Sequence, residues 1–169
     1  MADATDLSRF ASTDPLRVAY HEAGHAVVGW SLGGKIIRVA LERQLFGTGV
    51  SEGICTIYYL FPTKGELLVA EFIDGYGGWA ALEHRFGEGA GEDGVGDDRR
   101  RLAEAFQEFT PKPPGVTLEM LDADSRAAAT RRVVKHWAAV EAVARALLTR
   151  GSLAGDEVVG LIKRALATK

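Results

Sequence analysis

His21 and His25 stand four residues apart, with Glu22 directly after the first, in the stretch AYHEAGHAVVGW (19–30). On an α-helix, residues four apart project from one face a single turn apart, so two imidazole nitrogens can meet at one cation. Glu22 sits about 100° round the helix from His21, where its carboxylate can reach past the ligands to a water on that cation. Zinc brings the pKa of such a water toward neutrality, a glutamate accepts its proton, and the hydroxide attacks a carbonyl that the metal polarises. This is the chemistry that an H-E-x-x-H pattern carries. A site of this kind takes a third protein ligand and leaves the fourth position to water. The residue types leave that ligand open among His84, His136, Glu83, Asp93, Asp97 and Asp98.

The elements that must hold these side chains can be read from the surrounding pattern. Asp14 followed by Pro15 predicts a helix start, and Gly33-Gly34 an end, so the motif falls on a helix from 16 to about 32. Ala19, Ala23, Ala26, Val27 and Trp30 give that helix an apolar face. Gly24 costs about 1 kcal/mol relative to alanine inside a helix; a close approach by another backbone or by a substrate would explain it. Two strand-like runs follow, KIIRVAL (35–41) and GICTIYYLF (53–61), and predict a small β element. Helical patterning resumes over 64–86 with a weak point at GYGG (75–78), then over 97–109, and as one long helix over 117–150. GSLAGDE (151–157) interrupts it before a last helix. The glycine-rich acidic segment 87–98 is a connection or a flap over the metal. Residues 1–13 are expected to form a flexible arm, and the fold class is mainly α (α+β).

Composition narrows the functions. The chain has 169 residues, 47% of them apolar, which suits one domain over 14–169. Its formal net charge is −3, which gives no reason to expect nucleic acid as a partner. Cys55 is the single cysteine and is expected to act as a small buried hydrophobe. A lone cysteine, a polar N-terminus and the lack of a long apolar run together suggest a cytoplasmic protein with no membrane partner.

The HEAGH helix and the blocks after it resemble the peptidase domain of the FtsH-like (M41) zinc metalloproteases. That family follows the motif helix with a short β element, then a helix with a Gly-Gly-x-Ala-x-Glu pattern before Phe-Gly, where this chain has GGWAALEHRFG (77–87). Its Thr-Gly-x-x-Asn-Asp stretch is similar to DGVGDD (93–98), and its closing leucine-rich helix, break and last helix to ALLTRGSLAGDEVVGLI (146–162). The resemblance covers the chain from about Val18 onward. It implies a zincin-like helical peptidase domain with a metal-site part over 14–115 and C-terminal helices over 116–169. It also implies zinc held by His21, His25 and Asp98, with Glu22 as the base. The chain departs from the family at Asp93, Asp97 and Arg99, where the family has Thr, Asn and an apolar residue. Asp97 therefore stands as an alternative ligand, and Glu83 as a group that could support a ligand histidine from behind.

No G-x-x-x-x-G-K-[ST] phosphate loop occurs in the chain. The resemblance thus implies a zinc endopeptidase without its own ATPase, acting on peptides or unfolded chains and able to self-associate into a homo-oligomer. The alternative is a non-catalytic zinc-binding module on the same fold.

Overall fold

The computed structural model describes residues 6–42, 51–92, 94–112 and 114–168. Asp14 starts α1 (Pro15–Ser31) as predicted: its Oδ1 accepts from the Leu16 N–H at 2.9 Å, and Pro15 occupies the first turn, where a missing N–H costs nothing. Every residue of α1 from Val18 to Gly29 is buried. A helix covered all round forms the centre of a core, and the other elements are arranged about it.

Among the described residues four strands form one antiparallel sheet in the order β1-β3-β2-β4. β2 (Lys35–Glu42) and β3 (Ser51–Tyr58) are the pair expected from sequence. Gly53, Cys55 and Ile57 of β3, and Tyr59 just beyond it, are buried, while the residues between them are half-buried. That alternation turns one face of the strand onto α1. The outer strands were not expected. Residues 6–12, read from sequence as part of a flexible arm, form β1 (Asp6–Ser12) on the free edge of β3, with Phe10 opposite Gly53 and Ser8 opposite Cys55. DLSRFAS has no apolar alternation to announce a strand; the open ladder of β3 supplies the pairing. β4 (Ser152–Ala154), read as a break, pairs with β2 through Leu153 opposite Val39.

The helices after the sheet are α2 (Lys64–Gly75), α3 (Gly77–Phe86), α4 (Val95–Glu108), α5 (Leu118–Lys135), α6 (Trp137–Arg150) and α7 (Gly155–Ala167). Tyr76 separates α2 from α3 at the predicted weak point. The single long helix expected over 117–150 is two helices, broken at His136. The break lets α5 pack on α2 and α3 while α6 packs on α1. Trp137, at its start, stacks on Tyr20 of α1 with ring centres 5.7 Å apart and meets His84 edge-on at 4.4 Å. The architecture is mainly helical with a small antiparallel sheet. Among the described residues no helix is long and apolar enough to cross a membrane.

α3 crosses α1 at glycine against glycine. A Cβ on Gly77 would lie 2.9 Å from the Gly24 carbonyl oxygen and 3.0 Å from the His25 Cα. A Cβ on Gly24 would strike the Gly77 backbone and come within 2.7 Å of the Ala81 Cβ. The backbone approach that could explain Gly24 is therefore that of α3. Gly24→Ala is expected to destabilise the fold by about 1–3 kcal/mol, because overpacking here outweighs the gain in helix propensity. Urea unfolding of the two proteins reads this as a lower midpoint with an unchanged slope.

Candidate metal centre

His21, Glu22 and His25 lie on the most buried helix of the fold, and each is at most 1% exposed. Ionisable groups enter a core only when paired or bound to an ion. Asp98 joins them from α4, itself 1% exposed. The His21 and His25 Nε2 atoms are 3.0 Å apart, and Asp98 Oδ2 lies 3.4 Å from the first and 3.5 Å from the second. Donors bound tetrahedrally to zinc at about 2.0–2.1 Å are separated by roughly 3.3–3.4 Å, so the three atoms are spaced to share one cation. Among the described residues they form the group of His, Cys, Asp or Glu side chains that could hold a metal ion. Asp98 Oδ2 is buried without a hydrogen-bond donor, facing both imidazoles.

Each ligand is held from behind. Asp98 Oδ1 accepts from Arg101 Nη2 at 2.7 Å, one helical turn along α4, which leaves Oδ2 for the shared position. The His25 Nδ1 is 2.8 Å from the backbone oxygen of Asp74, at the end of α2. A carbonyl only accepts, so Nδ1 carries the hydrogen and Nε2 is the nitrogen that could coordinate a cation. The Asp74 carboxylate stands 3.7 Å from the same Nδ1. The His21 ring lies directly on Gly78 of α3, where any Cβ would collide with it. Glu22 packs against Gly53 of β3, where a Cβ would collide with its carboxylate. The glycine pair of GGWAALEHRFG thus has two separate tasks: Gly77 admits α1, and Gly78 makes room for a ligand.

The electrostatics follow from this packing. Burial lowers the His21 pKa to about 4, so His21 is a neutral donor at physiological pH. Burial also acts against a charged His25, but Asp74 and Asp98 outweigh it and raise His25 well above the ordinary 6.5. Burial pushes Asp98 upward, yet the two histidines hold it well below the usual carboxylate range. In the metal-free protein His25 therefore carries a proton that a cation must displace. That proton stabilises the metal-free fold below the unfolded value of 6.5, and its contribution fades as pH rises through the higher folded value. A metal bound there would compete with the proton for His25 Nε2, so affinity for a divalent cation such as zinc is expected to rise with pH across that window. Calorimetry in buffers of different ionisation heats should register about one proton released per zinc bound at neutral pH.

Asp97, the alternative ligand, is exposed and pairs with Arg100 at 3.1 Å. Helical phase separates the two aspartates: Val95, Asp98, Leu102 and Phe106 form the buried stripe of α4, and Asp97 lies off it. That signal was available in the sequence. Glu83 is turned toward the glycine-rich segment. Its carboxylate accepts from the Gly89 and Gly91 N–H groups at 3.0 and 2.7 Å, which ties down the glycine-rich segment. Arg17 also bonds the Ala90 carbonyl, and Glu92 accepts from Trp79 Nε1 at 3.1 Å, so the described part of this segment is anchored rather than flap-like. Asp93 lies outside the described residues. His84 is exposed on α3, and His136 marks the break between α5 and α6. Asp74 was missed by sequence reasoning. Its one signal is an acid in the last turn of a helix, where the dipole disfavours it. Asp74→Asn is expected to weaken zinc binding by about tenfold, the lower end for such partners, because the backbone bond to His25 survives. Competition with a chromogenic chelator measures it.

No protein-family model matches the chain, and comparison with curated proteins returns no match.

Proposed function

We propose that this chain is a zinc-dependent metallopeptidase that hydrolyses peptides or unfolded chains, on a zincin-like fold. The observation that carries this reading is the meeting of His21, His25 and Asp98 within 3.5 Å of one another, with Glu22 buried on the same helix. His21 Nε2, His25 Nε2 and Asp98 Oδ2 would hold the ion, two neutral nitrogens and one carboxylate being a donor set suited to zinc. Bound there, zinc supplies Lewis acidity, which polarises a peptide carbonyl and acidifies water. Glu22 acts as the base: its carboxylate takes the proton from the attacking water and returns it to the leaving amine. Asp74 keeps the Nε2 of His25 turned inward, and Arg101 restrains Asp98 to one oxygen.

The resemblance to the FtsH-like peptidases supports the same assignment, and with it self-association. One observation favours the alternative, a non-catalytic zinc module: every side chain of the centre is closed to solvent. Metal analysis of untagged protein, together with cleavage of an unstructured peptide such as casein, tests the proposal. About one zinc per chain with cleavage supports it; zinc without cleavage favours the alternative, and no zinc overturns both.

A further inference from the structure

The burial of the centre raises the question of what closes it. β1 touches α1 and α4, the two helices that carry the ligands. It also lies alongside the point where Glu22 meets the sheet, since Phe10 is opposite Gly53 and Gly53 packs on Glu22. The other elements around the centre are anchored in the core: α1 is buried from Val18 to Gly29, α2, α3 and the residue between them contribute Phe72, Tyr76, Ala81 and Leu82 to it, and β3 has partners on both sides. β1 is different. Among the described residues it is an edge strand paired through a single ladder, and residues 13 and 14 alone join it to α1. Strands held this way open locally at the lowest cost in free energy.

We propose that residues 6–12 form a built-in strap, a strand of the chain's own that closes the metal centre and must leave β3 before an extended peptide can reach it. Resting on the metallopeptidase reading for its purpose, this makes the closed structure the autoinhibited form. A peptide competes with β1 for the N–H and C=O groups along the edge of β3.

Two variants of the full chain test the strap with opposite signs. The double variant Arg9→Pro/Phe10→Pro weakens the ladder, because successive N–H groups of an antiparallel strand alternate sides and one of the two must face β3. Ser8→Cys places a thiol opposite Cys55, the only native cysteine, and directly cross-strand positions are close enough for a disulfide. The readout is diethyl pyrocarbonate modification of His21 in metal-free protein, located by mass spectrometry, with exposed His84 as the internal reference. Conditions are kept far below the unfolding transition, so that local opening carries the signal. Arg9→Pro/Phe10→Pro is expected to speed modification of His21 by about tenfold or more, and the Ser8→Cys disulfide to slow it by a similar factor, reversed by dithiothreitol. An unchanged rate in either variant overturns the strap, as does failure of the disulfide to form. Cleavage of a peptide by the zinc-loaded variants is followed in parallel. If modification shifts and no variant cleaves, the strap stands and the peptidase reading falls. If the rates do not shift, the strap falls whether or not cleavage occurs.

Discussion

Glu22→Gln is expected to lower peptide cleavage by about 10²–10⁴-fold, the range for loss of a general base, while the protein keeps its zinc. The substitution preserves shape, which matters because Glu22 is wholly buried against Gly53 and any change of volume would disturb the α1–β3 contact. It removes the basic oxygen and nothing else. The three donor atoms belong to other residues, so metal content should match the parent protein. The loss should appear in kcat, because the base acts in the transition state and not in substrate binding. Zinc content by elemental analysis and cleavage of a quenched peptide are the two measurements. Normal cleavage by Glu22→Gln would sink the mechanism.

Asp98→Ala should release zinc, with a loss of affinity larger than the about 10–100-fold that removal of a supporting partner costs. It deletes one of three donors and leaves two imidazoles 3.0 Å apart facing the Arg101 guanidinium, which loses its partner at 2.7 Å. The raised pKa of His25 rests in part on Asp98, so the variant should also lower it and weaken the proton competition that opposes the metal. Direct ligand loss outweighs that relief. Asp97→Ala is the matched control. One residue away, exposed and paired only with Arg100 in the described structure, it should leave zinc content unchanged. Zinc titration of the two proteins separates the neighbouring carboxylates. Equal affinity in both would show that Asp98 is not a ligand.

Much of this centre was legible from local pattern. The start of α1 was set by Asp14 and Pro15, and the facing of His21 and His25 by their spacing, because capping and helical periodicity act within a few residues. Burial of Cys55 and the weak point near Tyr76 followed the same kind of signal. The misses share a different cause. β1 and β4 lack a pattern of their own and exist because β3 and β2 offer open edges. The break at His136 reflects which neighbours α5 and α6 must reach. Glu83 stood at a suggestive position, and only the return of the chain at Gly89 and Gly91 showed where its carboxylate goes.

The sequence by itself determined the chemistry on one helix: two imidazoles four residues apart, a carboxylate beside the first, and an apolar frame to bury them. Periodicity in φ and ψ settles which side chains share a face, and it needs nothing beyond the helix. The tertiary structure decided the remainder. It brought Asp98 to the histidines across 73 residues of chain, set Asp74 behind His25, gave Gly77 and Gly78 their separate tasks, and laid residues 6–12 along β3. Those arrangements depend on contacts between segments far apart in the chain, whose individual patterns are compatible with several partners until packing selects one.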